Sequence, residues 1–226
     1  MLVIPFLFGL FTTRPVAIHA LLFVFWLIAY LFTFPFLQWI KTKKLHLYKG
    51  PMMLYGSLFG ALGMTLAIIA PSLLRWVPIF IPFFLINCWY ARNNRERSFV
   101  NDLAAVLLFS MMVYVSHDVG SLHNWQIAHQ LFLLSIVYFI GTVFYVKTII
   151  REKHNKIFYW YSVLYHLAAV IVSAVWYPWL VTVSLAILLV RAAWAPRTKI
   201  TVKRSGILEI IYAVWITVAV FLTYGL

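Results

Sequence analysis

The stretch Ala17-Ile-His-Ala-Leu-Leu-Phe-Val-Phe-Trp-Leu-Ile-Ala-Tyr-Leu-Phe-Thr-Phe-Pro-Phe-Leu-Gln-Trp-Ile40, followed at once by Lys41-Thr-Lys-Lys44, decides the fold. Neither an acid nor a lysine or arginine interrupts it. A helix that crosses the hydrocarbon core of a bilayer needs about 20 apolar residues, with a range of about 17–25. This run meets that requirement and stops where lysines begin. Working outward, the same pattern recurs at Pro51–Ala70, Leu73–Tyr90, Phe99–Ser116, Gln126–Val146, Ile157–Trp176, Pro178–Val190 and Ile207–Tyr224. The run Pro178–Val190 is short, and Ala192 to Trp194 extend it if Arg191 snorkels to the interface. A further apolar piece, Met1–Phe11, is too short to span alone and reads either as an interfacial or re-entrant segment or as the end of another span.

Composition points the same way. Of the 226 residues 65% are hydrophobic and 10% charged, and the mean hydropathy is +0.95. A water-soluble domain carries about a quarter charged residues, so there is too little charge here to cover a globule. The expected fold is an all-α polytopic transmembrane helix bundle. It comprises eight full spans and an N-terminal partial span in a single transmembrane domain, residues 1–226. The connections leave no room for a second domain. The net charge of +13 would suggest nucleic acid in a soluble chain. Its distribution argues for a membrane surface instead. All Lys and Arg except Arg14 and Arg75 fall in four alternate connections: Lys41–Lys49, Arg92–Arg97, Lys147–Lys156 and Arg191–Arg204. Eight spans place these four on one side, and the positive-inside rule makes that side cytoplasmic. The C-terminus is then extracytoplasmic. Cys88 stands alone and allows no intrachain disulfide.

Prolines and tryptophans punctuate the runs. Pro51 and Pro178 read as helix starts, whereas Pro35, Pro78 and Pro82 read as kinks inside spans. Trp39, Trp76, Trp89, Trp125, Trp160, Trp176, Trp179 and Trp194 lie near boundaries, where an amphipathic ring suits the headgroup region.

Few residues offer chemistry. The densest polar cluster is Arg92-Asn-Asn-Arg-Glu-Arg-Ser-Phe-Val-Asn-Asp102. Ser98 suits the cap of the helix beginning at Phe99, and Asn101 and Asp102 suit its positive end. The functional reading of the same cluster is a polar mouth for a small anion or a lipid headgroup, built from Arg92, Asn94, Arg95, Glu96, Asn101 and Asp102. His166 lies near the middle of a span with Ser162 one turn away, a depth at which an ionisable group faces a cavity or a neighbouring helix. Glu209 reads as a helix-dipole partner. His19, His117, His123 and His129 fall toward one face with Asp118 nearby, but their spacing is not that of a metal site, and no cofactor or metal is expected. Gly56-Ser-Leu-Phe-Gly60 is a small-xxx-small element suited to close helix packing, within the chain or between two copies. No Walker motif, dinucleotide fingerprint or His-Glu-x-x-His sequence is present.

The strings Met1-Leu-Val-Ile-Pro-Phe-Leu-Phe-Gly9, Tyr90-Ala-Arg-Asn-Asn-Arg-Glu-Arg97 and Asn101-Asp102 resemble the YwiC-like family of bacterial membrane proteins. The resemblance covers essentially the whole chain and implies residence in a bacterial cytoplasmic membrane. It brings no established biochemical activity. Members carry a His-Gly-Ala-Trp-Ala-Met run before the Pro-Phe-Leu-Phe-Gly segment, and Met1 would align with its last residue, so the chain is expected to start late. A topological likeness to the UbiA prenyltransferases also exists. Their Mg²⁺-binding aspartate-rich motifs do not map here, since Lys41–Gly50 and Lys147–Lys156 contain Glu152 as their sole acid. Two functions follow as expectations. One is a non-catalytic carrier, a protein binding lipid or a small solute, or an accessory factor. The other is a divergent UbiA-like enzyme acting on a prenyl or lipid substrate, which needs a cavity between the ends of Ala17–Ile40, Pro51–Ala70 and Gln126–Val146.

Overall fold

A backbone surrounded by lipid must satisfy its own hydrogen bonds, which leaves helix as the solution for runs of this length. The protein, described by a computed structural model over residues 1–120, 125–198 and 200–225, follows that rule; the described residues contain no strand. The helices are α1 (Ile4–Phe11), α2 (Ala17–Thr42), α3 (Leu45–Ile69), α4 (Val77–Arg92), α5 (Phe99–Ser110), α6 (Met112–Val119), α7 (Trp125–Ile150), α8 (Lys156–Trp176), α9 (Trp179–Trp194) and α10 (Val202–Tyr224). A 3₁₀ turn, Pro71–Trp76, leads into α4, and another, Ala195–Arg197, follows α9. Together they make eight segments long and apolar enough to cross a membrane. The chain is therefore an all-α, multi-pass membrane protein.

The outward faces confirm the solvent. Ile68, Val175, Trp179 and Leu222 are each more than 70% exposed. Such side chains tolerate exposure when the surroundings are hydrocarbon. Segment Pro71–Arg92 buries none of its most apolar window inside the protein, whereas Trp125–Ile150 buries 56%.

Contacts divide the chain into two compact units, Met1–Ile136 and Val137–Leu226. In the first, Phe6, Leu22, Trp26, Leu66, Met112 and Val115 form the core. Trp26 sets its ring edge against Phe109 at 5.3 Å and Phe80 at 6.0 Å. The N-terminal segment is packed into the protein. Phe6 and Phe8 are almost wholly buried, and α1 lies along α6 so closely that a Cβ on Gly9 would collide with the Val113 carbonyl and approach Ser116 Cβ to 2.8 Å. In the second unit α9 packs against both α8 and α10.

The proline readings divide. Pro35 and Pro82 lie inside helices and Pro178 is an N-cap. Pro51, expected at a helix start, sits inside α3, because α3 begins at Leu45 in the lysine-rich connection and carries its first turns beyond the apolar run. Pro78, expected inside a span, occupies the first turn of α4, because the preceding residues form the 3₁₀ turn. The span expected at Phe99–Ser116 is one transmembrane segment stepped at Met111.

The small-residue element of α3 also divides. A Cβ on Gly56 would stand 3.2 Å from the Phe32 ring of α2, whereas nothing lies within 4 Å of one on Gly60. Gly9→Ala should cost about 1–3 kcal/mol through overpacking against backbone, and Gly60→Ala should be neutral or slightly stabilising. Thermal unfolding in the same detergent measures both, and equal effects would contradict the α1–α6 contact.

Candidate functional site

The polar mouth expected at Arg92–Asp102 is built as a pair of helix ends. Asn94 takes a left-handed conformation, φ 55°. This lets Arg95 N–H donate to the Tyr90 carbonyl (2.8 Å) and Asn94 N–H to that of Ala91 (3.1 Å), the Schellman closure of α4. Ser98 Oγ then accepts from Asn101 N–H at 3.2 Å and caps α5. Asn101 is buried, and its side-chain amide donates to the Glu96 carbonyl at 2.7 Å. Glu96 forms an ion pair with Lys41 at the end of α2. Arg92, Asn94 and Arg95 are exposed, and Asp102 is half-buried in the first turn of α5. The arrangement ties three helix termini together and leaves the Arg92 and Arg95 side chains toward the surroundings.

The histidines of the first unit do not converge. His19 Nε2 lies 2.9 Å from the Ser116 carbonyl, and His117 Nδ1 lies 2.9 Å from Thr12 Oγ1. His129 Nδ1 lies 2.8 Å from the Tyr114 hydroxyl. His117 is wholly buried in α6, not solvated in a loop. Asp118 accepts two hydrogen bonds from Arg75 and a third from Trp76 Nε1 at 2.9 Å. His123 and Lys199 lie outside the described residues. Among those described, no three His, Cys, Asp or Glu side chains come together as a metal site.

The remaining sequence-predicted residues, Ser162 and His166, lie on α8 in the second unit. Both are buried. His166 Nδ1 lies 2.7 Å from the Ser162 carbonyl; a carbonyl only accepts, so this nitrogen carries the proton. Nε2 is buried without a partner among the described residues and faces Gly141 of α7, where a Cβ would stand 3.0 Å away.

The same unit holds a group that the sequence reading passed over. Arg191 of α9 is 4% exposed and does not snorkel. It is ion-paired with Glu209 of α10, and its guanidinium lies over the Tyr145 ring at 4.1 Å and the Tyr212 ring at 5.2 Å. Glu209 is not a helix-dipole partner, since α10 begins at Val202 and the dipole's influence fades beyond the first turn. Thr142 stands beside Glu209, and Ser205 beside the Tyr145 hydroxyl. An arginine of this kind is always charged, and burying an ion pair in apolar surroundings costs several kcal/mol per ion before the attraction is counted. Two clues were present: α9's apolar run ended early at Arg191, and Glu209 is the sole acid of α10. A cleft of about 520 Å³ opens at the start of α10, lined by Thr198, Ile200, Arg204, Ile207 and Leu208. None of these residues belongs to α2 or α3.

The profile of the family described as "YwiC-like protein" matches residues 1–117. An uncharacterised protein YwiC of Bacillus subtilis (strain 168) is 38% identical over 77% of this chain and 73% of its own length. An uncharacterised protein of Haemophilus influenzae is 29% identical over 92% of this chain and 88% of its own. No solved structure matches.

The Lys41 ammonium, hydrogen-bonded to Glu96, holds that carboxyl below the usual carboxylate range. A depressed folded value means that the pair's stabilisation is full above the ordinary glutamate pKa of about 4.3. It is lost as pH falls through the lowered value. Both side chains are about 30% exposed, which limits the pair to about 1 kcal/mol or less. The unfolding temperature of Glu96→Gln should therefore lie below that of the wild type at neutral pH and converge with it in acid. A constant gap across that range would contradict the pairing.

Proposed function

The chain belongs to the YwiC-like protein family, and on that premise we propose that it is a non-catalytic carrier or binding protein for a small solute or lipid. It works as a single transmembrane domain in a bacterial cytoplasmic membrane. The observation that carries this reading is the Arg191–Glu209 pair. Arg191 lies in the last turn of α9 and Glu209 two turns into α10, both within segments apolar enough to cross a membrane, and the pair stands beside Thr142 and Tyr145. Ionisable groups within spans are costly, and membrane proteins retain them chiefly where they meet substrates, ions or protons. Structural packing alone would be served as well or better by apolar side chains of similar volume. His166, with its unpartnered Nε2 on the same unit, supports the same reading. The exposed Arg92 and Arg95 beside the Lys41–Glu96 pair serve as a peripheral rim that attracts anionic lipid or an anionic solute.

In this reading the four basic connections face the cytoplasm and the C-terminus faces away from it. The open face around Gly60 offers a surface for pairing with a second copy, and membrane lipids are the constant partners.

Cysteines introduced at Lys44, Arg95, Lys153 and Lys199 should all react from the cytoplasmic side with a membrane-impermeant maleimide, and a split pattern would overturn the orientation. For function, the protein in lipid nanodiscs should be stabilised against heat by at least one solute or lipid in a panel spanning anions, cations, neutral solutes and headgroups. Absence of any ligand-dependent shift, with Arg191→Met folding as stably as the wild type, would assign the buried pair to packing and sink the proposal.

A further inference from the structure

Arg191 offers its ligand a specific shape. Its guanidinium has five N–H donors in a rigid plane. Nη1 donates to Glu209 Oε1. Nε and Nη2, which share one edge of the plane, are buried and have no acceptor among the described residues. Two parallel N–H groups on one edge match the two oxygens of a carboxylate or phosphate, which is the bidentate geometry arginine is selected for. The protein itself shows that edge in use: Arg75 donates through Nε (3.1 Å) and Nη2 to the two carboxylate oxygens of Asp118. Arg75 is an exposed side chain with its edge filled, while Arg191 is a buried one whose same edge has no acceptor among the described residues.

The surroundings hold that edge in place. Tyr145 and Tyr212 lie against the guanidinium faces, and the Nη1 bond to Glu209 fixes its far end. Cation–π attraction strengthens on burial, so the plane is oriented before any ligand arrives. The Tyr145 hydroxyl is buried and lies beside Ser205. The cleft at the start of α10 includes Arg204 and Leu208, the immediate chain neighbours of Ser205 and Glu209.

We propose that the Nε/Nη2 edge of Arg191 is the receptor for a single two-oxygen anionic group, the carboxylate or phosphate of the bound solute or lipid. This rests on the binding reading above and names its chemical class. A spherical halide satisfies a two-donor fork less well than a planar pair of oxygens, so the site discriminates against chloride. The same fork accepts the phosphate of a free solute or of a lipid headgroup, and the source is separated by experiment.

The full chain, in nanodiscs of phosphatidylcholine, is titrated with acetate, inorganic phosphate and chloride, and in parallel placed in nanodiscs containing phosphatidylglycerol. Tryptophan fluorescence follows thermal unfolding. Stabilisation by acetate or phosphate but not chloride indicates a free solute, and stabilisation by phosphatidylglycerol alone indicates a headgroup; either supports the site. Arg191→Lys keeps the charge but loses the fork, and should weaken binding about tenfold or more, the loss of one charge-assisted hydrogen bond. Should Arg191→Lys fail to fold, the preference of the wild type for two-oxygen anions over chloride decides. Binding that is unchanged in Arg191→Lys, or equal for chloride, overturns the proposal. Stabilisation only by neutral or cationic solutes overturns the oxyanion site while leaving a binding protein, and no stabilisation by any class removes both.

Discussion

Lipid in place of water is the constraint from which everything else in this protein follows. It forces each spanning segment to close its backbone hydrogen bonds within a helix. It permits Ile68, Val175 and Leu222 to face outward, and it raises the cost of each polar atom left inside. The polar groups that remain are therefore arranged with economy. His19 and His117 bond to Ser116 and Thr12, Asp118 gathers Arg75 and Trp76, and Ser135 and Ser184 bond to carbonyls of their own helices. Against that background a buried charged pair between the last turn of α9 and a position two turns into α10 stands out as something packing does not require.

The two units use polarity differently. In Met1–Ile136 the ion pairs lie at helix ends and act as ties: Lys41–Glu96 joins the end of α2 to the connection before α5, and Arg75–Asp118 joins the turn before α4 to α6. The Gly9 contact lets α1 lie against α6. In Val137–Leu226 the polarity is interior and incompletely matched. Arg191 Nε and Nη2 and His166 Nε2 keep no formed partner among the described residues. A matched network rigidifies a fold, whereas an unmatched one in a low dielectric is costly until something completes it.

The fold was legible because hydrocarbon imposes a length and a composition on every span. Ala17–Ile40 and Ile157–Trp176 were read almost to their ends, since lysines mark where water begins. The charged ends themselves were harder. The first turns of α3 and α10 run on through Leu45–Gly50 and Val202–Gly206, because a helix continues through polar residues that reach the interface. That extension changed the meaning of Glu209: assigned to a first turn it is a dipole partner, but two turns in it meets Arg191. The candidate site was correspondingly half-legible. Ser98 and Asn101 carry local signals, a cap and its partner, that sequence displays directly. The Arg191 site depends on residues from α7, α9 and α10 that share no local pattern, and a lone arginine at the end of an apolar run resembles the positive rim found in any membrane protein.

The account stands on which faces of the helices touch hydrocarbon. Nitroxide labels at Ile68, Val175 and Leu222, compared with one at Arg97 in the α4–α5 connection, test this through collisions with oxygen, which concentrates in lipid, and with a water-soluble nickel chelate. The three helix-face labels should favour oxygen and the connection label should favour the chelate. Chelate access at the helix faces equal to that at Arg97 would contradict the membrane arrangement and everything built on it.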